Sequence, residues 1–359
     1  MTLLRQKIAQ TIMAGCAGET VTPAERLIFT EYGFGGFILF RRNCCEPRQL
    51  VALCRALWEI APGAPPFLAI DQEGGKVHRL PSPFTHFPTA AVIGQRRDLA
   101  LAEAAGSAVA AELSLAGINL NFAPVLDVNS NPDSPIIGDR AFADDPGAVS
   151  EIGLAWARGL RAGGVIPCGK HFPGHGGTAQ DSHLTLPVVD RSRKEISATE
   201  LLPFADACRS GLEALMTAHV KFTALDPLHV ATLSEAIVTE ILRHELGYNG
   251  VVFSDDMEMK AISGQHDPGP AAALALQAGV DVVLFCHDAD RAVAAVEFLC
   301  AEAEREPLLR AKIEAANRRI RELKHGRLQR FTGAVEDEIA ARLSALEHHR
   351  LVEKIYGSL

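Results

Sequence analysis

A glycine-rich stretch in the middle of the chain concentrates side chains that can do chemistry. The residues from Lys170 to His183 read KHFPGHGGTAQDSH, which places a lysine, an aspartate and three histidines within one short segment. Glycines leave the backbone free to bring such groups up to a ligand, and functional residues are common in loops of this kind. A loop that only connects two elements seldom needs this combination, so we interpret the segment as part of a functional site.

Two chemistries fit this loop. His171, His175 and His183 could bind zinc or iron together with Asp181, because imidazole and carboxylate groups are ligands of both metals. Alternatively, His183 could act as a general acid and base whose imidazole is oriented and charge-stabilised by Asp181, two residues earlier. The spacing alone does not decide between the two.

A second motif favours glycosidase chemistry. The residues from Val251 to Met257 read VVFSDDM, an apolar strand that ends in two carboxylates. One carboxylate at such a position could attack an anomeric carbon, and with an acid elsewhere this is the double displacement of a retaining glycosidase. Neighbouring residues on a strand point to opposite faces, so we expect only one of Asp255 and Asp256 to face the pocket and the other to be structural.

The elements that must position these groups alternate between short apolar runs and helical patterns. This alternation is typical of a parallel sheet with crossover helices, and eight such runs predict a (β/α)8 barrel of the α/β class. The predicted strands are Thr11–Gly15, Gly36–Phe40, Phe67–Ile70, Ile118–Phe122, Val165–Gly169, Ala214–Thr217, Val251–Ser254 and Val280–Phe285.

Helical patterns lie between the runs. The pattern predicts an apolar helix over Leu99–Leu115, with a cap at Gly117, and a charged amphipathic helix with a solvated face over Leu308–Lys324. No linker or composition shift divides the chain. We therefore expect one barrel domain over residues 1–359, with a C-terminal helical tail from about residue 306.

In (β/α)8 barrels the chemistry lies at the carboxyl ends of the strands. We therefore expect the polar residues that follow the predicted strands to converge on one mouth. They are Asp71, Gln72, Lys170, His171, His219, Asp255 and Asp256.

Bulk properties exclude several classes of partner. The formal net charge of −9, without any basic block, argues against a nucleic-acid partner. The unbroken apolar runs, such as those of the predicted strands, are far shorter than the roughly 20 residues that span a bilayer, so we expect no membrane span. Met13 to Cys16 resembles a lipoprotein cleavage box, but polar residues interrupt the run before it, which favours a helix leading into a strand.

The eight cysteines include no CxxC pair. This pattern favours reduced thiols, and with them a cytoplasmic location.

Four motifs together resemble those of glycoside hydrolase family 3, in particular its single-domain bacterial β-N-acetylhexosaminidases. They are DQEGG at 71–75, IGDRAF at 137–142, the long loop at 170–183 and FSDD at 253–256. The loop motif is the most specific of the four. The resemblance agrees with the barrel and implies a retaining glycosidase.

The resemblance also implies roles for single residues. Asp255 would be the nucleophile, and His183 the proton donor and acceptor, tuned by Asp181. The sugar hydroxyls and the N-acetyl group would be held by Asp71, Arg79, Arg140, Lys170 and His171, with no metal and no cofactor. Charged groups of this kind make strong, often bidentate hydrogen bonds.

This chain departs from the family pattern at two positions near the site. Gly177 stands where many relatives have aspartate, which leaves the resting conformation of the loop open. Lys76 stands where arginine is frequent, which changes a supporting contact while Arg79 is retained.

The expected reaction is hydrolysis of terminal β-linked N-acetylglucosamine from a small carbohydrate substrate by a monomeric enzyme. The resemblance points to cell-wall muropeptides and peptidoglycan recycling. Three alternatives remain: a phosphorylase that uses phosphate instead of water in the same site, a metal-dependent hydrolase built on His171, His175 and His183, and a noncatalytic sugar-binding barrel.

Overall fold

Eight parallel strands close into a barrel surrounded by helices. The computed structural model of the chain describes residues 2–60, 64–131, 136–178 and 186–357. Within these ranges the strands are β1 (Ile12–Gly15), β2 (Gly36–Leu39), β3 (Phe67–Ile70), β4 (Leu120–Asn121), β5 (Ile166–Phe172), β6 (Val188–Val189), β7 (Ala214–Thr217), β8 (Lys221–Phe222), β9 (Val251–Asp256) and β10 (Val282–Phe285).

The order around the barrel is β1, β10, β9, β7, β5, β4, β3, β2, and the closing pairs are parallel. All eight predicted strands are therefore confirmed, and so is the barrel. The strands β6 and β8 form a separate parallel pair that the sequence pattern did not predict. In the chain, β6 follows the long loop after β5, and β8 follows β7.

The helices described are α1 (Leu3–Gln10), α2 (Pro23–Tyr32), α3 (Pro47–Ile60), α4 (Ala90–Gln95), α5 (Leu99–Ala116), α6 (Pro146–Ala162), α7 (Arg193–Ala198), α8 (Leu202–Arg209), α9 (Lys260–Ser263), α10 (Pro268–Ala278), α11 (Ala289–Arg305), α12 (Pro307–Arg327), α13 (Ile339–Ala345) and α14 (His348–Tyr356). A π-helical segment, Ala236–Glu245, occupies the crossover before β9, and short 3₁₀ turns lie at Arg41–Asn43, Gly138–Arg140 and Ala231–Leu233. The first helix leads directly into β1, as the sequence pattern favoured.

The predicted apolar helix is α5. The side chain of Asp98 caps its first turn by accepting the N–H of Leu101 at 3.0 Å. At the other end Gly117 has φ +88°, and a Cβ there would lie 2.5 Å from the ring of Phe331, so both backbone conformation and space require glycine.

Within the described ranges, α5 is the one helix whose length and composition would allow it to cross a membrane. The expectation of no membrane span overlooked it, because it rested on short unbroken runs. In the structure 61% of this helix is buried, and it packs against α6, so it has the surroundings of a core helix.

The predicted C-terminal helix is α12, and it closes the bottom of the barrel. Ile320 and Leu328 pack with the apolar side chains of the barrel interior. Lys324 is 3% exposed, and its Nζ donates to the carbonyl of Gly35 and to Oε1 of Gln10, both at 2.7 Å. Burial lowers the pKa of Lys324 to about 7. The expectation that the charges of this helix form a solvated face is therefore wrong for Lys324, whose ammonium finds backbone and amide acceptors in place of water.

Candidate active site

A cavity of about 290 Å³ opens at the carboxyl ends of the barrel strands. Its polar lining contains all six predicted site residues that the structure describes: Asp71, Arg79, Arg140, Lys170, His171 and Asp255. Glu73, His175, Asp256 and His287 also line it, together with apolar side chains such as Phe40, Met216 and Met259. The two remaining predictions, Asp181 and His183, lie outside the described residues.

One wall of the cavity is a buried network of ion pairs. Lys170 places Nζ 2.7 Å from Oδ1 of Asp71 and 2.6 Å from Oε1 of Glu73. The guanidinium of Arg140 donates to both oxygens of Glu73 at 2.8 Å, a bidentate pair. Arg79 completes the wall, with a terminal nitrogen 3.8 Å from Oδ2 of Asp71. The network fixes the side chains that could hold sugar hydroxyls before any ligand arrives.

Glu73 is the carboxylate at the centre of this network, and the sequence analysis gave it no role. Burial raises its pKa, but the charges and hydrogen bonds of Arg140 and Lys170 more than offset that effect, so the pKa is well below its usual range. Lys170 is affected in the opposite sense. Burial lowers its pKa, but Asp71 and Glu73 raise it above its usual value. Glu73 and Lys170 are therefore both charged at neutral pH.

We expect Glu73→Gln to lower the free energy of unfolding by about 3–5 kcal/mol, because it leaves two buried cations with one fewer counter-charge. Urea unfolding at pH 7 measures the loss. Because the folded-state pKa of Glu73 is depressed, its stabilisation is present above about pH 4 and is lost as the pH falls further. The difference between the two proteins should therefore shrink in acid.

The matched control is Asp139→Asn, which removes the exposed partner of Lys76 at 2.9 Å and should change stability by about 1 kcal/mol or less. Equal effects of the two substitutions would contradict a dominant role for the buried network. The Lys76–Asp139 pair is also the supporting contact at the position where this chain has lysine instead of arginine.

A second buried carboxylate, Asp127, organises the two described histidines of the loop. It is completely buried and accepts Nδ1 of His171 at 2.7 Å, the backbone N–H of His171 at 3.2 Å and that of His175 at 2.7 Å. Burial raises the pKa of Asp127, but His171 and these hydrogen bonds bring it below its usual value. Nδ1 of His171 is thus a donor to a carboxylate, and Nε2 is the nitrogen it can offer to a ligand.

His175 is held in its neutral form. Burial, and then the neighbouring His171 ring at 5.8 Å, lower the pKa of His175 to about 4. Within the described ranges no three His, Cys, Asp or Glu side chains come together as a metal-binding group. The metal-dependent alternative requires His183, which lies outside those ranges, so that alternative stays untested.

Asp255 and Asp256 both line the cavity, so the expectation that only one would face it is wrong. The reason is a bulge in β9. Val282 of β10 pairs with Phe253 of β9, and Leu284 of β10 pairs with Asp256 of β9, so β9 advances by three residues where β10 advances by two. A bulge interrupts the alternation of side chains and can turn neighbouring residues toward one face.

The two neighbouring carboxyls differ in their protonation. Burial raises the pKa of Asp255, but His219, His171, Lys170 and the backbone N–H of Asp256 outweigh it, so the pKa falls below its usual value. Burial, with the nearby charges of Glu258 and Asp255, raises the pKa of Asp256 to about 7. Asp255 is therefore the ionised carboxylate of the pair and the better candidate for a nucleophile.

Two of the residues expected at the mouth support it from behind instead of lining it. Gln72 is buried, and its side-chain oxygen accepts the backbone N–H of Arg79 at 2.9 Å. His219 is also completely buried and donates to the backbone of Asp256.

Gly177 lies close to the buried Glu200. A Cβ at this position would lie 3.1 Å from Oε1 of Glu200 and 3.3 Å from Oγ of Ser130. Burial raises the pKa of Glu200, so an aspartate at position 177 would bring a second carboxylate to an unfavourable place. Glycine at 177 and glutamate at 200 are thus mutually compatible.

Comparison with known proteins identifies the family of this chain. The model of the glycosyl hydrolase family 3 N terminal domain matches residues 3–323. A β-hexosaminidase of Alkalilimnicola ehrlichii is 40% identical over 295 residues, which are 80% of this chain and 84% of that protein. A β-hexosaminidase of Chromobacterium violaceum is 40% identical over 311 residues, covering 84% of this chain and 85% of its own.

Two solved structures are similar over almost the whole chain. A glycoside hydrolase family 3 β-N-acetylglucosaminidase from Paenibacillus sp. has a TM-score of 0.89 at 39% identity and covers 99% of this chain and 68% of its own. NagZ from Neisseria gonorrhoeae, solved in complex with N-trifluoroacetyl-D-glucosamine, has a TM-score of 0.75 at 32% identity, with 94% and 97% covered.

Proposed function

This chain belongs to glycosyl hydrolase family 3, and we propose that it is a retaining β-N-acetylhexosaminidase that removes terminal β-linked N-acetylglucosamine. The observation that carries the proposal is the ionised Asp255 at the mouth of the barrel, in the same cavity as a preformed wall of charged side chains. The names of the β-hexosaminidase relatives and the N-acylglucosamine bound to NagZ support the choice of sugar.

The sugar would be held by the wall that the structure describes. Asp71 offers carboxylate oxygens to hydroxyl groups, and Arg79, Lys170 and Nε2 of His171 are directed at the same cavity. Two nitrogens of the Arg140 guanidinium donate to Glu73. We therefore propose that Arg140 holds Glu73 and Lys170 in place and also contacts the sugar. A wall whose charges are already paired costs little reorganisation when the substrate binds.

The proposed reaction has two steps. A carboxylate oxygen of Asp255 forms a bond to C1 of the sugar while the bond from C1 to the leaving oxygen breaks. The electron pair of that bond passes to the leaving oxygen, which takes a proton from His183. Water then attacks C1 and gives its proton to His183, and the Asp255 carboxylate leaves with the electron pair of its ester bond. Asp181 would orient the imidazole throughout.

We further propose muropeptides as the physiological substrates and the cytoplasm as the location. The free state of all eight cysteines supports a reducing compartment. A monomer suffices for this proposal, because the described part of one chain supplies the cavity and its charged wall.

A panel of aryl glycosides tests the proposed function. The purified protein is expected to hydrolyse an aryl β-N-acetylglucosaminide at least about 100-fold faster, in kcat/KM, than the β-glucoside, because each well-made polar contact to the acetamido group contributes roughly 1–3 kcal/mol. The product should be free N-acetylglucosamine with and without added phosphate.

Three outcomes would change the assignment. A phosphate-dependent yield of sugar 1-phosphate would establish the phosphorylase alternative on the same site. Activity that is abolished by chelation and restored by zinc would establish the metal-dependent one. Binding of the sugar without turnover of any aryl glycoside would leave a sugar-binding barrel.

A further inference from the structure

A histidine two residues after β7 lies close to the proposed nucleophile but does not line the cavity. His219 is completely buried and has hydrogen-bonding groups at both ring nitrogens. Nε2 lies 2.9 Å from the backbone oxygen of Asp256, and Nδ1 lies 2.8 Å from Oγ1 of Thr232. The partners on both sides determine how many protons the ring carries.

The proton on Nε2 follows from its partner. A carbonyl oxygen can only accept, so Nε2 must donate to Asp256.

The proton on Nδ1 follows from the hydrogen bonds of Thr232. Its hydroxyl has three close neighbours: Oγ1 of Thr217 at 2.8 Å, Nδ1 of His219 at 2.8 Å and the carbonyl of Ala218 at 3.0 Å. A hydroxyl has one hydrogen, and the Thr232 hydroxyl donates it to the carbonyl of Ala218, which can only accept. The other two neighbours must then donate to Thr232. Among the described residues, the assignment that satisfies all three contacts of the Thr232 hydroxyl therefore puts a proton on Nδ1 as well.

We propose that His219 is held as an imidazolium cation and acts as a positioning residue and counter-charge for Asp255. The proposal rests on the proposed function, in which Asp255 is the nucleophile. A buried cation is costly unless it is paired, and the carboxylate of Asp255 supplies the opposite charge.

The electrostatics of Asp255 agree with this assignment. After burial, which raises it, the charge of His219 is the largest influence on the pKa of Asp255, and it acts downward. Among the described residues, the other charged or titratable groups around this carboxylate are His171 and Lys170 on β5, His175 on the loop after it, the neighbouring Asp256, and Cys286 directly after β10.

The hydrogen bonds also connect His219 to the nucleophile through one residue. Asp256 accepts from His219 at its carbonyl and donates its backbone N–H to Oδ1 of Asp255 at 2.8 Å. Rotation of His219, or loss of its N–H, therefore alters the donor that orients the carboxylate.

A cation at this position acts differently on the two steps. It keeps Asp255 ionised in the free enzyme, and it stabilises the same carboxylate as the leaving group when the glycosyl ester is hydrolysed. Loss of the charge should raise the pKa that describes the acid limb of the pH profile. It should also slow hydrolysis of the glycosyl-enzyme more than its formation.

Two variants remove the charge by different routes. His219→Gln keeps an N–H donor for Asp256 but carries no charge. Thr232→Val keeps the histidine but removes the acceptor at Nδ1. With an aryl β-N-acetylglucosaminide, we expect both to move the acid limb of kcat/KM upward by about 1 pH unit or more. We also expect kcat at pH 7 to fall about 10-fold or more, with accumulation of glycosyl-enzyme.

Nitrogen NMR of histidine-labelled wild-type protein reads the charge directly, with His219→Gln identifying the signal. Two protonated ring nitrogens at pH 7 are expected. An unprotonated Nδ1 at pH 7, or folded variants with the wild-type pH profile, would overturn the proposal. If the wild-type protein hydrolysed no aryl N-acetylglucosaminide, the proposed function would fail while the NMR result still decided the charge of His219.

Discussion

Replacement of Asp255 by alanine is expected to reduce kcat/KM for an aryl β-N-acetylglucosaminide on the order of 10⁴-fold or more, which is typical of the loss of a nucleophile. Asp255 lines the cavity, and it is the member of the carboxyl pair whose pKa is lowered, so it is ionised when substrate binds. Alanine offers no atom that can form the glycosyl bond. The loss should be similar for good and poor leaving groups, because both need the nucleophile.

The matched controls for this substitution are two other aspartates. Asp288→Asn changes a half-exposed carboxylate after β10 and should leave the rate within about 3-fold of wild type. Asp256→Asn tests the neighbouring carboxyl, whose pKa is about 7 and whose backbone N–H donates to Asp255. It should reduce kcat/KM less than Asp255→Ala does. If Asp256→Asn instead caused the larger loss, the two roles would have to be exchanged.

Replacement of His183 by alanine is expected to have the second largest effect, and one that depends on the leaving group. A general acid contributes about 10²–10⁴-fold, most of it where the leaving oxygen is basic and needs a proton. Disaccharides and alkyl glycosides should therefore lose far more rate than an aryl glycoside with an acidic phenol. A plot of log(kcat/KM) against the acidity of the leaving phenol, for a series of aryl glycosides, measures this dependence as a slope.

Asp181→Asn should show the same trend with a smaller loss, because it removes the partner that orients the imidazole and not the proton carrier. His349→Ala, at an exposed histidine of α14, serves as the control and should change nothing in the series. A uniform loss across all leaving groups for His183→Ala would indicate a role in folding or binding and not in proton transfer.

The fold could be predicted from the sequence because the barrel strands are apolar on both faces. Strands such as Phe67–Ile70 are buried along their whole length, so they read as unbroken apolar runs. The pair of β6 and β8 could not be found in this way, since each strand is two residues long and the first residue of each is not buried. Burial of Lys324 was missed because its acceptors, Gly35 and Gln10, are about 300 positions earlier in the chain.

The candidate site was predicted in part. Residues directly after a strand, such as Asp71, Lys170 and Asp255, could be placed at the mouth because barrel geometry sends every strand end there. Asp127 follows the shortest barrel strand after a gap of several residues, and only its hydrogen bonds to His171 and His175 reveal its function. A polar residue after β4 was the available signal.

The roles of Asp255 and Asp256 could not be separated by strand alternation, because the bulge opposite Val282 and Leu284 brings both to the cavity. The family motif selected Asp255, and the opposite pKa shifts of the two carboxyls now give a physical reason for that choice. The protonation of His219 likewise depends on Thr232, thirteen residues further on, whose contacts appear only in the folded chain.

The most direct test of the account is to trap the proposed covalent intermediate on the intact enzyme. A fluorinated N-acetylglucosaminyl donor with a good leaving group slows hydrolysis of the glycosyl-enzyme, so mass spectrometry can weigh the protein and locate the label after digestion. We expect a mass increase of one glycosyl unit, carried by Asp255. A label on another residue, or full turnover with no labelled enzyme and an inverted product, would contradict it.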